Sequence, residues 1–144
     1  MNLTIELLED PNEIPYDLLL LADPSRELVN EYVGRGYGYG AYLDDELVGE
    51  VVLIHTRPRT MEIVNVAVKE SRQGQGIGRQ LVQAAIREAK SRQATALEIG
   101  TGNSSFWQLK LYQSCGFRIV GVDVDFSCGI MRKTFTRTAF IAGI

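Results

Sequence analysis

The chain has 144 residues, 45% hydrophobic and 23% charged, a composition that suits one packed domain and argues against a disordered or fibrous protein. A formal net charge of −3 leaves no basic footprint for a phosphate backbone, so no nucleic-acid partner is expected. The acidic N-terminus is unlike a signal peptide, no apolar run approaches a membrane span, and the two cysteines, Cys115 and Cys128, have neither metal-site nor disulfide-framework spacing. The expectation is a cytoplasmic protein with no membrane partner and no metal, its two thiols reduced and structural.

Taken in order, Leu3 to Leu8 alternates as a strand and is stopped at Asp10-Pro11. Two short helices follow, Ile14 to Ala22 and Ser25 to Arg35, with Ser25 placed as an N-cap. The glycine-rich stretch Gly34 to Gly40 is read as a loop. Asp44-Asp45 is a turn signal that makes Tyr39 to Leu43 and Leu47 to His55 a hairpin. Met61 to Val68 is a β-branched strand, and Gly76 to Arg92 has the spacing of a long amphipathic helix. Ala96 to Thr101 is then a strand, Ser104 to Cys115 a helix closed by Gly116, and Phe117 to Asp125 another strand. The order β-α-α-β-β-β-α-β-α-β, with no internal repeat, indicates one mixed α/β (α+β) domain whose last strand is uncertain.

The most informative segment is Val64 to Leu81, VNVAVKESRQGQGIGRQL, which runs from strand through a glycine-rich turn into a helix. A helix N-terminus offers unpaired N–H groups and the positive end of the helix dipole, and glycines let an anion approach that backbone closely. The turn therefore suits a pyrophosphate. It has no Lys-Ser/Thr after its last glycine and no GxGxxG register through Gly74, Gly76 and Gly78, so P-loop and Rossmann readings are weak.

Gln73, Gly76 and Gly78 do match the Q/R-x-x-G-x-G/A motif, and in this the chain, from about Leu3 to Asp125, resembles the GNAT superfamily of N-acetyltransferases. The resemblance implies a single-domain GNAT fold, a mixed and mostly antiparallel central sheet flanked by helices. It implies acetyl-CoA as acetyl donor, with its pyrophosphate cradled by the amides of Gln73, Gly74, Gln75, Gly76, Ile77, Gly78 and Arg79. It also implies that the Met61 to Val68 strand splays from its neighbour, with the Val66 N–H as oxyanion donor and Ala67 and Val68 lining the pantetheine arm.

Acetyl transfer to an amine needs a proton acceptor for the amine, stabilisation of the oxyanion and a proton for the departing thiolate. Glu62, in MEIVNVAV, is similar to the basic glutamate of the histone-acetylating branch, although its spacing to the glycine loop is shorter. A solvated strand glutamate is the plainer reading. Tyr112, in LYQSCGF, matches the superfamily tyrosine beside the coenzyme sulfur, against the alternative of a buried helix tyrosine. Ser105 stands where the family often has Asn, and Asn103 either contacts the pantetheine or caps the following helix. His55, the sole histidine, has no acidic sequence neighbour and reads as structural. Tyr37, Tyr39, Tyr42 and Trp107 are candidate acceptor-pocket aromatics, though strand aromatics are more often core.

The tail from Ser127 to Ile144 contains no acid and carries Arg132, Lys133 and Arg137, unlike the acidic remainder of the chain. It fits a family's last strand poorly. One DNA string can encode these residues and, one nucleotide earlier, an ending with more acids and aromatics, so a one-nucleotide deletion just after Phe126 is inferred. The function expected is acetyl-CoA-dependent transfer to a primary amine of a small molecule or peptide, by direct attack in a ternary complex. The alternative is a non-catalytic acetyl-CoA-binding sensor domain. A homodimer is possible on either reading.

Overall fold

The computed structural model describes residues 2–8, 10, 13–102, 106–123 and 135–141. Its seven strands form one sheet: β1 (Leu3–Leu8), β2 (Tyr37–Leu43), β3 (Glu46–Arg57), β4 (Thr60–Val68), β5 (Ala96–Gly102), β6 (Arg118–Asp123) and β7 (Phe135–Ile141). The spatial order is β1-β2-β3-β4-β5-β7-β6. Neighbours run antiparallel except β4 and β5, whose parallel pairing follows from the helical crossover between them. The mixed sheet expected from sequence is thus present. The tail, which read as a poor last strand, supplies β7, a run of Thr, Phe and Ile placed between β5 and β6 and paired with both.

Helices α1 (Tyr16–Ala22), α2 (Arg26–Val33), α3 (Ile77–Ser91) and α4 (Phe106–Ser114) connect the strands. Each is shorter than its sequence pattern suggested. Ser25 lies outside α2 and accepts a hydrogen bond from the Leu28 N–H at 3.2 Å, satisfying a donor that the helix start leaves unpaired. The Gly34 to Gly40 stretch is only partly loop, since β2 begins at Tyr37. Asp44 and Asp45, at φ 50° and 70°, make the expected β2–β3 turn.

The sheet buries both faces. On one, α3 packs Leu81, Val82, Ala85 and Ala89 against Val51, Leu53, Met61, Ile63 and Leu97. Gly49 permits the close approach: a Cβ there would lie 3.0 Å from Leu81 Cδ1 and 3.1 Å from the Ala67 carbonyl. On the other face, Ile14, Leu18 and Leu19 of the α1 region and Val29, Tyr32 and Val33 of α2 cover Val52, Ile54 and Ala67.

Candidate active site

The sheet is not continuous at its centre. β4 and β5 pair only from Thr60–Ile63 to Ala96–Ile99, although β4 runs on to Val68 and β5 to Gly102. The cause lies on the other side of β4, where Asn65 opposes Val52 and Ile63 opposes Leu53, leaving Val64 as an extra residue. A bulge of this kind bends its strand and increases the local twist, which turns the end of β4 away from β5.

The register also decides which backbone groups face the gap. The Lys69 N–H donates to the Val48 carbonyl at 2.8 Å, and Val48 lies opposite Lys69 because Gly49 opposes Val68. Alternation along an antiparallel strand then turns the backbone groups of Ala67 and Asn65 toward β3 and those of Val66 and Val68 toward the gap. Val66 and Val68 therefore stand where the pantetheine-pairing edge was expected. Ala67 does not share that edge: its backbone pairs with Glu50 and its side chain packs in the α1–α2 cluster.

Beyond β4 the chain makes one 3-10 turn at Glu70–Arg72 and enters α3. Gly74 and Gly76 have φ of 80° and 82°, the left-handed region that favours glycine, and the space where their Cβ atoms would stand is open to 4 Å. Gly76 is the N-cap of α3, no side chain caps the helix, and its first turn carries no acid. The amides of Ile77, Gly78 and Arg79 thus start a helix whose dipole no side-chain charge neutralises. The exposed Gln73 folds back, its side-chain amide donating to the Val68 carbonyl at 3.1 Å and joining the turn to the end of β4. Gln75 is exposed in the turn. Arg79 donates to Ser114 Oγ at 2.9 Å and ties α3 to α4, so its guanidinium has a structural partner. A Cβ on Gly78 would meet Val68 at 3.8 Å and Leu111 at 3.7 Å, which sets the start of α3 between the β4 edge and α4.

Tyr112 extends from α4 into the core on that side, 3% exposed, with its ring edge-on to Phe117 at 6.2 Å. Burial, followed by the neighbouring Cys115, pushes its pKa to about 12, so the phenol keeps its proton. Glu62 is half-buried on β4, opposite Ile54 and beside Glu98 of β5, one residue before the strands part. Glu98 is held by Arg57 at 2.7 Å. Asn103 and Ser105 lie outside the described residues, as does Cys128, and the Trp107 side chain is likewise not described.

Other sequence candidates go elsewhere. His55 is exposed near the end of β3 and packs edge-on against Tyr37 at 5.9 Å. Tyr39 donates to Glu88 of α3 at 2.7 Å, and Arg92, paired with the same carboxylate, stacks 3.4 Å over the Tyr37 ring. These two aromatics brace α3 rather than line an acceptor pocket, and Tyr42 packs in the α1–α2 cluster. Cys115 is a half-buried free thiol whose pKa burial raises. Among the described residues, no group of three or more His, Cys, Asp or Glu is placed to hold a metal.

Two polar side chains that the sequence reading passed over are buried under α1 and α2. Asn65, 3% exposed, donates to the Leu19 carbonyl and to the Tyr32 hydroxyl, both at 2.9 Å. Tyr32 in turn donates to Asp23 at 3.2 Å. Glu50 is wholly buried on the same face, and neither of its carboxyl oxygens nor the Asn65 Oδ1 has a hydrogen-bond partner. The available signal was a glutamate in the middle of the apolar run LVGEVVLI.

A parted strand pair beside a glycine-rich helix start defines a class, and the sequence pattern of the acetyltransferase (GNAT) family matches residues 4–117. The chain belongs to that family and is an N-acetyltransferase. It is 60% identical over 124 residues to an uncharacterized N-acetyltransferase, YvbK, of Bacillus subtilis (strain 168), covering 86% of this chain and 80% of that protein. A crystal structure of a Bacillus subtilis acetyltransferase in complex with CoA is similar at TM-score 0.85 and 50% identity, over 98% of this chain and 99% of the other. A GNAT family acetyltransferase from Elizabethkingia anophelis with acetyl-CoA bound is similar at TM-score 0.86 and 40% identity, over 98% and 99% of the two chains. Close relatives thus hold CoA or acetyl-CoA.

Proposed function

We propose that this protein transfers acetyl from acetyl-CoA to a primary amine by direct attack of the amine on the bound thioester in a ternary complex. The observation that carries the reading is that two features follow one another directly in the chain. The Val66 and Val68 edge, which does not pair with β5 and whose Val68 carbonyl accepts from Gln73, offers backbone groups for an amide-bearing arm, and it leads into the uncapped α3 start, which suits a pyrophosphate. Bound acetyl-CoA supplies the activated acyl group. The Val66 N–H polarises the acyl carbonyl from the gap, Tyr112 donates a hydrogen bond toward the departing sulfur, and Glu62 takes the amine proton directly or through water.

That CoA and acetyl-CoA occupy relatives at 50% and 40% identity supports the donor assignment. The acceptor class rests on the family alone. The test is release of free thiol from acetyl-CoA in the presence of a panel of primary amines, run alongside calorimetric titration with acetyl-CoA. Amine-dependent thiol release is expected. Tight binding with no release over the whole panel would instead favour the sensor reading.

A further inference from the structure

Asn65 is the first residue after the bulge in β4, and the peptide that joins it to Val66 is the one whose N–H faces the gap. That peptide is planar, so the Val66 N–H moves as one body with the Asn65 carbonyl and Cα. On its N-terminal side the ladder to β3 is interrupted at Val64, and a bulge holds the backbone less firmly than a regular strand does. The Asn65 side chain supplies the constraint that the ladder omits there. It is buried, and its two amide protons go to the Leu19 carbonyl of α1 and the Tyr32 hydroxyl of α2, each at 2.9 Å. The amide sits only one way round, because the Leu19 carbonyl can only accept.

The helices that receive these bonds do not need them. The Leu19 carbonyl also accepts from the Asp23 N–H at 3.3 Å, and Tyr32 donates to Asp23 at 3.2 Å whether or not Asn65 is present. Nor does stability alone explain an amide at this position: the Asn65 Oδ1 is buried with no partner, a cost that an apolar side chain of similar volume would not carry. We infer that Asn65 is a positioning residue for acetyl transfer. Its side chain, clamped between α1 and α2, holds the Asn65–Val66 peptide with the Val66 N–H aimed at the acyl carbonyl in the gap. Such a donor stabilises an oxyanion to the extent that it is already in place and does not reorganise during the reaction. Asn65 therefore acts on the chemistry through Val66 without touching acetyl-CoA itself.

The inference rests on the acetyltransferase reading, with Val66 as the donor, and the experiment separates the two. The thioester carbonyl stretch of carbon-13-labelled acetyl-CoA is recorded by isotope-difference infrared spectroscopy on the wild type, Asn65→Leu and Asn65→Ala, without amine and so without turnover. Calorimetry gives the acetyl-CoA affinity, and thiol release with an amine that the wild type accepts gives kcat. The wild type is expected to lower the stretch relative to free acetyl-CoA, and the variants to lose half of that shift or more. Their kcat should fall about tenfold, short of the roughly 10²- to 10³-fold loss of a whole oxyanion donor, with acetyl-CoA affinity kept within about threefold. A merely structural role predicts a lower melting temperature with band and kcat unmoved, and that result overturns the proposal. A wild-type band at the position of free acetyl-CoA overturns it as well. Asn65→Leu fills the space and Asn65→Ala adds no bulk, so the reading is taken on whichever folds as the wild type does. Absence of thiol release with every amine removes the transferase reading and the positioning role with it, whereas release with an unmoved band in the variants removes the role of Asn65 alone.

Discussion

Three residues of the proposed site, one for binding and two for the chemistry, each make a separate demand. Gly76 holds φ 82° with open space above it, so a side chain there is strained by the backbone and projects into the region in front of the α3 amides. Left-handed backbone costs a non-glycine residue about 1–2 kcal/mol, more when it is β-branched. Gly76→Val is expected to weaken coenzyme A binding at least tenfold by calorimetry; unchanged affinity would place the pyrophosphate elsewhere. Tyr112→Phe removes a donor and almost no volume. Turnover should fall by about 10²-fold with coenzyme affinity kept, and wild-type turnover would return Tyr112 to the core in which it is buried. For Glu62→Gln, kcat is expected to drop by roughly 10² to 10⁴ and to recover at high pH, where more amine is already deprotonated. Parallel pH profiles of equal height for the two forms would exclude Glu62 as the proton acceptor.

At the scale of elements, the α1–α2 pair is fastened to the sheet by polar contacts as well as by its apolar face. Asn65 reaches the Leu19 carbonyl of α1 and the Tyr32 hydroxyl of α2, and Asp23 between the helices accepts from Tyr32 and from the Ser25 N–H. Ser25 then caps α2 through its hydroxyl. A helix of eight residues is too short to persist alone, so the cap and the packing share its stability. Ser25→Ala is expected to cost about 1 kcal/mol, seen as a melting temperature a few degrees lower in calorimetry. No change would mean that packing of Val29, Tyr32 and Val33 alone sets the helix.

For the molecule as a whole, the buried Glu50 predicts a pH dependence of stability. Its folded pKa is raised above 4.5 by burial, so the protein holds its proton more tightly folded than unfolded. The contribution is complete below 4.5 and is lost as pH rises through the folded value. Melting temperatures of wild type and Glu50→Gln, measured from pH 4.5 upward, should therefore diverge in favour of the variant as pH rises. A constant difference would mean that Glu50 titrates alike in both states. The tail bears on the same scale. Residues Phe135–Ile141 pair into the sheet, while one DNA string that can encode this tail would also, one nucleotide earlier, encode a tail with more acids and aromatics. We propose a one-nucleotide deletion just after Phe126; an uninterrupted natural frame through Ser127 and Cys128 in the source gene would refute it.

Local rules were enough for the elements and for the glycine-rich turn that starts α3. Alternation in Leu3 to Leu8, the helical spacing of Ile77 to Ala89, and the glycines at 74, 76 and 78 each express a property of a few consecutive residues, which is why they could be read directly. The family was legible for the same reason, since its motif is contiguous. Only the tertiary structure decided the rest. The bulge at Val64 depends on the register with β3, and that register turns Val66 and Val68, but not Ala67, toward the gap. The pairing of β7 between β5 and β6 joins segments far apart in sequence. Glu50 and Asn65 share one buried face because two strands align them under helices from another part of the chain, and whether a glutamate is solvated or buried without a partner is fixed by those neighbours rather than by its place in the sequence.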